Sequence, residues 1–186
     1  KKVLSQDHLP LLLTADLDIS DMSAYELTEE MLQQVRDSLR EDPAFLETEA
    51  AYFAILAKAN AAEDEVEVVD EIGYFDLAGA ETGPRYRGQG VRVVGMVGDN
   101  YAPVILSPNI SGLRRVFRIL VLDDTANLET PKRYLVDMIE PPTNLEPRAI
   151  IDMDARYYRN VFEIDSTSSA VRPLLIVRRI KGVREE

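Results

Sequence analysis

The chain has 186 residues, of which 46% are hydrophobic and 29% charged, a balance that excludes wholesale disorder and predicts one domain, or one domain with an appended segment. It contains no Cys, which excludes disulfides, thiolate metal sites and a Cys nucleophile, and its single His8 argues against a catalytic triad or a multi-histidine metal centre. No apolar run approaches the roughly 20 residues that cross a bilayer, so any membrane contact is expected through segments outside this sequence.

The net charge of −12 is distributed unevenly. Residues 1–80 carry 19 acidic and 5 basic residues, net −14, whereas residues 81–186 carry 14 acidic and 16 basic residues, net +2. We therefore predict an acidic N-terminal segment over 1–80 and a second domain over 81–186. Because acidic surface repels phosphate, the net charge disfavours nucleic acid as a partner. The asymmetry permits either a solvated acidic surface or an acidic segment that folds over the Arg-bearing region.

The cellular context is open at this level. The chain begins with Lys1-Lys2 and without an initiator Met, which is typical of a piece cut from a longer chain, so a signal or anchor would lie upstream. The sequence indicates no compartment and no oligomeric state.

Two helices are predicted in the acidic segment. Residues 23–26 (SAYE) have the form of a capping box, and an apolar residue then recurs every three to four positions, at Leu27, Met31, Val35 and Leu39. Asp42-Pro43 supplies an N-cap and a first-turn proline for a second helix over 44–62. We expect the two helices to form a hairpin. Residues 63–70 (EDEVEVVD) are predicted to enter an edge strand.

After residue 80 the sequence predicts strands almost throughout. They span residues 91–97, 115–122, 134–139, 149–153, 157–164 and 173–180, with turn-rich stretches between them. The absence of intervening helical patterns favours an antiparallel barrel or sandwich over a parallel sheet. Glycines within and around the first strand suit a tight bend that lets it serve both sides of a small barrel; they are Gly88, Gly90, Gly95 and Gly98.

The order of these strands resembles the OB-fold over roughly residues 85–182. A glycine-bent first strand (GQGVRVVGMVGD) is followed by a second that ends in an acidic turn (RRVFRILVLDD), a third (RYLVDMIEPP), and a fourth and fifth (AIIDMDARYYRNVFEI and RPLLIVRRI). The predicted fold is therefore α+β, an N-terminal helical hairpin packed on a five- to six-stranded antiparallel OB-like β-barrel. The resemblance implies binding on the face of the second and third strands, which offer Arg118 and Tyr134 beside Asp137, a poor stacking platform for single-stranded nucleic acid.

Isolated charges interrupt the predicted strands. We interpret them as an outer face joined by cross-strand pairs of opposite sign, each worth about 0.2 to 1 kcal/mol. The alternative is a cluster of Arg118, Arg178 and Arg179 that recognises a small anion or a glycan, with Asp137 keeping the cluster poised.

Clustered carboxylates give a second alternative. Oxygen ligands of the kind that Mg²⁺ and Ca²⁺ require are present at Asp123, Asp124, Asp152 and Asp154. Asp152 and Asp154 share a strand face, and a metal-dependent hydrolase would use these two residues.

The most conspicuous aromatic and basic cluster is Tyr157-Tyr158-Arg159. Neighbouring residues on a strand face opposite ways, so one tyrosine is predicted in the core and the other on the surface. An exposed tyrosine that joins Tyr101 or Tyr134 would line a groove for a protein or peptide.

These patterns together predict a non-catalytic interaction or accessory domain that binds a protein or peptide and uses no cofactor and no metal, because the usual nucleophile, base and ligand sets are missing. The candidate ligand-binding residues are Arg118, Tyr134, Tyr157, Tyr158, Arg178 and Arg179.

Overall fold

The computed structural model describes residues 26–39, 50–61, 66–69, 72–98, 101–123, 132–143, 145–164 and 169–180. The helices in these ranges are α1 (Glu29–Gln34), α2 (Ala50–Asn60) and α3 (Tyr74–Ala78), followed by a 3₁₀ segment (Gly83–Tyr86). The strands are β1 (Ser38–Leu39), β2 (Gly90–Val97), β3 (Ala102–Ile105), β4 (Arg115–Leu122), β5 (Arg133–Met138), β6 (Ile150–Ile164) and β7 (Ser169–Val177).

The seven described strands belong to one sheet, in a mixed α and β protein with few helices. Six strands follow one another in the order β1-β6-β2-β4-β5-β7, and β3 pairs beside β4. Because β7 also pairs with β6, the pairings of β2, β4, β5, β7 and β6 form a closed circuit of five strands.

Two pairs in this sheet are parallel, β5 with β7 and β1 with β6. The prediction of a purely antiparallel barrel after residue 80 is wrong for the β5–β7 pair. The β5–β7 pair has a topological reason: strand directions alternate around the circuit, and an odd number of strands cannot alternate all the way round. One of the five pairings must therefore be parallel.

Alternate residues of the five circuit strands meet in one apolar cluster. On a strand, every second side chain faces the same way, so this cluster is the side that the circuit encloses. Leu77 of α3 reaches the same cluster. The strand residues in it are Val91, Val93, Val97, Phe117, Ile119, Val121, Tyr134, Val136, Met138, Ile151, Met153, Ala155, Tyr157, Leu175 and Val177.

A second cluster forms where α2 packs on the opposite face of β4, β5 and β7. The strands contribute Val116, Leu135, Leu174 and Ile176, together with Tyr158 and Val161 of β6. Residues 51–57 and 59 of α2 are at most 6% exposed, as expected of a helix that is apolar all round. Residues from both sides of position 80 therefore share one core cluster, while the division into two domains stays a prediction.

The first strand of the circuit, β2, pairs with two neighbouring strands, as predicted. Residues 90–96 of β2 pair with β6, and Met96 and Val97 pair with β4. At Gly95 a Cβ atom would lie 2.5 Å from the carbonyl oxygen of Leu122 and 2.7 Å from Cγ1 of Val121. Glycine is required there because the strands approach too closely for any side chain.

The first predicted helix is shorter in the structure. Thr28 is the N-cap of α1, and its hydroxyl accepts a hydrogen bond from the Met31 amide at 3.3 Å. Residues 23–25 of the predicted capping box over 23–26 lie outside the described residues, and Glu26 precedes α1. A helix through Leu39 is wrong, since Ser38 and Leu39 form β1 beside β6.

Hydrogen bonds from distant residues explain this change of structure after α1. Arg87 Nη1 donates to the Val35 carbonyl at 2.6 Å, and the Asp37 carboxylate accepts from Arg87 Nη2 at 3.0 Å and from the Asn160 amide at 2.9 Å. These contacts hold an extended backbone against β6, which overrides the local helical periodicity.

The remaining helices and strands agree in part with those predicted from the sequence. The second predicted helix is confirmed over α2, whereas residues 42–49, including Asp42-Pro43 and most of the connection from the first helix, lie outside the described residues. The predicted edge strand at 63–70 is reduced to one bridge between Val68 and Gly90 in its described part. The two predicted strands at 149–153 and 157–164 are one strand, β6, with a register shift around Tyr158.

Candidate functional site

Arg118 and Asp137 face each other directly on β4 and β5. Arg118 Nε and Nη2 donate to the two Asp137 carboxylate oxygens at 2.7 and 2.8 Å, and Tyr52 Oη of α2 donates to Oδ2 at 2.8 Å. Asp137 is fully buried. The three side chains form a satisfied polar group under α2, which we call the buried triad.

Burial and the triad partners set the protonation of these groups. Burial raises the pKa of Tyr52 well above its ordinary value, and the Asp137 carboxylate adds to this, so the hydroxyl stays protonated and donates. Burial alone would lower the pKa of Arg118, but the charge and hydrogen bonds of Asp137 outweigh it and raise the pKa, so Arg118 stays cationic. The face on which the OB resemblance implies binding is covered by α2.

The three arginines of the predicted cluster have different surroundings. Arg118 belongs to the buried triad, and Arg178 Nε donates to Glu140 Oε1 at 2.8 Å. Arg179 is exposed and lines a depression of about 370 Å³ beside Pro142. Arg118 and Arg178 thus have separate carboxylate partners. Their role in anion or glycan binding stays a prediction.

The three predicted tyrosines are buried. Tyr134 lies in the enclosed cluster, with its ring 5.6 Å from that of Tyr74, and its hydroxyl donates to Asp123 Oδ1 at 3.2 Å. Burial, reinforced by Asp123, raises the pKa of Tyr134, and burial likewise raises that of Tyr157.

Tyr157 and Tyr158 face opposite ways, as predicted, but the expectation that one is exposed is wrong. Tyr157 lies in the enclosed cluster, and the Tyr158 ring lies 5.3 Å from that of Tyr52 in α2. The outward face of β6 is covered at this point, so both tyrosines are fully buried. Whether any of the three tyrosines binds a ligand stays a prediction.

One of the carboxylates proposed for a metal, that of Asp152, is paired with an arginine. Arg92 Nε and Nη2 donate to the two Asp152 oxygens at 2.9 and 2.6 Å across the diagonal of the ladder, and Asp154, which is exposed, lies directly opposite Arg92. Asp124 lies outside the described residues. Within the described ranges, no group of three or more potential ligands could hold a metal ion. A cross-strand ion pair on the outer face is confirmed at Arg92–Asp152, whereas Arg118–Asp137 is a cross-strand pair buried under α2.

An exposed surface that is aromatic and basic lies on the hairpin of β3 and β4. The register pairs Pro103 with Phe117 and Ile105 with Arg115, and directly opposed residues share a face. Tyr101, two residues before Pro103, is 45% exposed and its ring lies 6.0 Å from that of Phe117, edge to face. Arg115 is exposed, with its guanidinium carbon 5.3 Å from the Phe117 centroid. We call Tyr101, Pro103, Ile105, Arg115 and Phe117 the hairpin face.

The opposite side of the same hairpin is buried. Leu106 and Val116 belong to the cluster under α2, and Val104 packs against it. The hairpin therefore projects one face into the core under α2. On the hairpin face, Tyr101, Pro103, Ile105 and Arg115 are exposed, whereas the Phe117 ring is buried and belongs to the enclosed cluster. Ile105 on the hairpin face is 68% exposed.

The free edge of this hairpin is blocked for strand addition. Among the described strands β3 pairs with β4 alone. The Leu106 amide donates to the Arg114 carbonyl at 2.9 Å, so the alternation of the ladder turns the nitrogen of Pro103 away from β4. Proline has no N–H, and the middle of the edge thus lacks the donor that a third strand would need.

The local charge of this region differs from that of the chain. Residues 101–122 contain three arginines and no Asp or Glu. Arg114 and Arg115 are both exposed. Sequence reasoning identified Tyr101 and the strand β4 but missed β3, because Ala102-Pro103 and the turn residues after Ile105 do not have the pattern of a strand. The acid-free run is the signal that would have drawn attention to it.

Comparison with known proteins finds similarity in structure but none in sequence. No family model matches the chain, and no curated protein matches it in sequence. Among the solved structures that match is a Plasmodium falciparum SSB in complex with ssDNA. The two chains are 11% identical, the match covers 48% of this chain and 86% of the other, and the TM-score is 0.30.

The expectation that the acidic net charge disfavours nucleic acid is corrected here. The matching structure contains ssDNA, the class of partner that the expectation set aside. Net charge averages over the whole chain, whereas a polyanion responds to the potential at the surface it approaches. The acid-free run of 101–122 shows how far the two differ in this chain, and the ligand has to be inferred from the residues themselves.

None of the helices in the described part of the chain has the length and apolar character needed to cross a membrane.

Proposed function

We propose that this chain is a binding module built on an OB-type barrel, and that it binds single-stranded nucleic acid on the hairpin face. The closed circuit of five strands, with one parallel pair, fits the five-stranded Greek-key barrel of that fold. The hairpin lies in the connection between the first and second circuit strands, which is one of the loops that OB-folds use for oligonucleotides.

The observation that carries the proposal is that the exposed side chains of Tyr101 and Arg115 both contact the buried ring of Phe117, which holds them on one face. An exposed aromatic ring offers a base a stacking surface, worth about 1 to 3 kcal/mol per base. The guanidinium beside it is positioned to pair with the adjoining phosphate, and Arg114 adds a second charge. No acidic residue within 101–122 opposes a polyanion there.

Other features favour the hairpin face over the alternatives in this chain. The outer face of β4 and β5 is occupied by α2, and Arg118 on that face is neutralised by Asp137. A peptide that added as a strand would meet Pro103 at the centre of the free edge. Single-stranded nucleic acid that lies across the hairpin face needs neither the outer face of β4 and β5 nor the free edge of β3.

The test is fluorescence anisotropy with labelled single-stranded DNA and RNA, and with a duplex of the same sequence, at two salt concentrations. We expect saturable binding to the single strands and weaker binding to the duplex. Tyr101→Ala should weaken binding about 5- to 150-fold, which is the stacking energy converted at 1.4 kcal/mol per tenfold. Arg115→Ala should also reduce the salt dependence, by about 0.7 in the slope of log K against log salt.

Arg92→Ala is the matched control, because Arg92 is also an exposed strand arginine but lies on β2, paired with Asp152. It should leave the affinity unchanged. Equal losses with Arg92→Ala and Arg115→Ala would mean diffuse attraction without a site, and would contradict the proposal. So would the absence of binding to any single strand.

A further inference from the structure

A second surface lies away from the hairpin, in a cleft between α1 and the 3₁₀ segment. It has a volume of about 810 Å³, within the range of small-molecule sites. Three arginines line it, Arg36, Arg85 and Arg87, together with Gln33 and Gln89. These residues come from two short segments, 29–37 and 84–89, that are far apart in sequence.

One of these arginines is held rigidly within the cleft wall. Arg87 is nine-tenths buried, and it donates through Nη1 to the Val35 carbonyl and through Nη2 to Asp37. Its Nε is buried and has no hydrogen-bond partner among the described residues. Because Nε has no surface open to the cleft, Arg87 shapes the wall, and the guanidinium groups open to a ligand are those of the exposed Arg36 and Arg85.

The two outer arginines are available at the rim. Arg36 is exposed and donates through Nη1 to the Gln33 and Val35 carbonyls, which keeps its guanidinium beside α1. Arg85 is exposed on the opposite wall, where its own carbonyl accepts from Gln89 Nε2 at 3.0 Å. The cleft thus presents guanidinium groups on both walls.

The two carboxylates that line the cleft already accept hydrogen bonds. Asp37 accepts from Arg87 and from the Asn160 amide, and Glu29 accepts from Gln33 Nε2 at 3.4 Å. Neither neutralises Arg36 or Arg85 through a contact in the described residues. The balance of the cleft is therefore cationic within an acidic chain.

We propose that this cleft binds a small molecule that carries phosphate groups. Guanidinium groups recognise phosphate through paired N–H donors, and the two walls are suited to a ligand with more than one phosphate. The site is separate from the hairpin face and does not depend on nucleic-acid binding there.

The test measures the melting temperature of the whole chain against increasing inorganic phosphate and pyrophosphate, with sodium chloride at matched ionic strength. Pyrophosphate should raise the melting temperature with saturation, more than phosphate does, and chloride should not. Arg85→Gln and Arg36→Gln should each weaken the apparent affinity about tenfold or more. Both residues are exposed at the rim, so these variants are expected to fold.

Two control variants separate the site from general charge effects. Arg92→Gln removes an exposed arginine elsewhere and should leave the pyrophosphate response unchanged, and so should Tyr101→Ala on the hairpin face. A response that chloride reproduces, or that Arg92→Gln reduces as much as Arg85→Gln does, would overturn the proposal. The same holds if pyrophosphate has no effect on the parent chain.

Discussion

At the scale of single residues, an Arg–Asp pair has a different effect on stability when it is buried than when it is exposed. Arg92 with Asp152 and Arg118 with Asp137 are both two-pronged ion pairs between neighbouring strands. The first lies on an open face. The second lies under α2, where Asp137 has no contact with water and Tyr52 satisfies the remaining demand of its carboxylate. Burial therefore decides how much the fold depends on keeping the ion pair intact.

We expect Asp137→Ala to lower the free energy of unfolding by about 3 to 5 kcal/mol, because it leaves the Arg118 charge buried without a partner. Asp152→Ala should cost far less, since water screens Arg92. Urea unfolding of both variants checks this. The triple variant Tyr52→Phe, Arg118→Met and Asp137→Leu, which leaves none of the three side chains with an unpaired polar group, should recover most of the loss if unpaired buried groups are its cause. Similar effects of Asp137→Ala and Asp152→Ala would contradict the argument.

At the scale of elements, close approach between backbones decides which strands can neighbour each other. The change of partner in β2 from β6 to β4 is possible because Gly95 has no side chain at the point of contact with Leu122. Helix α2, by contrast, depends on side chains that fill space: its buried residues are small, aliphatic or aromatic and pack against the neighbouring elements. Both features are visible in composition, but their partners are not.

Gly95→Ala should lower stability by about 1 to 3 kcal/mol or more, because the new Cβ would overlap a backbone oxygen that is fixed by the sheet. Gly73→Ala is the comparison, since the nearest atom to its Cβ would be 3.7 Å away. That substitution should cost no more than the loss of a good N-cap residue, below about 1 kcal/mol. Thermal melts of both variants measure the difference, and equal melting temperatures would argue against the close contact.

At the scale of the whole molecule, the burial of tyrosines makes the stability of the fold depend on pH in the alkaline range. The chain has eight tyrosines, and the pKa values of Tyr52, Tyr134 and Tyr157 are raised above the ordinary value of 10.0, first of all by burial. Each hydroxyl holds its proton more tightly in the folded state than in the unfolded state. Their contribution to stability is complete below about pH 10 and is lost as the pH rises beyond it.

We expect the free energy of unfolding to fall as the pH rises above about 10, since the unfolded chain then releases protons that the folded chain keeps. In an ultraviolet titration, part of the tyrosine absorbance change should appear only when the protein unfolds. Circular dichroism followed over the same pH range gives the unfolding transition. A titration in which all tyrosines ionise near pH 10 with the fold intact would show that these side chains are accessible.

The strands were the part of the fold that sequence patterns predicted best. The bounds of β4 match the predicted residues 115–122, and β2, β5 and β7 were placed to within a few residues, because alternating or continuous apolar runs between turn residues are local signals. The helix after residue 23 was overextended, and α3 and β3 were missed, because long-range hydrogen bonds and short lengths leave no periodic pattern.

The sequence alone determined the acidic chain with an Arg-bearing second half, the succession of strands and their resemblance to an OB-fold, because these follow from composition and local periodicity. Only the tertiary structure decided which charged and aromatic residues are accessible. Tyr134, Tyr157 and Tyr158 became core, and Arg118 became part of the buried triad, because α2 and the closed circuit cover both of their possible faces. Tyr101 and Arg115 stayed open for the complementary reason that their hairpin packs on the core through its other side.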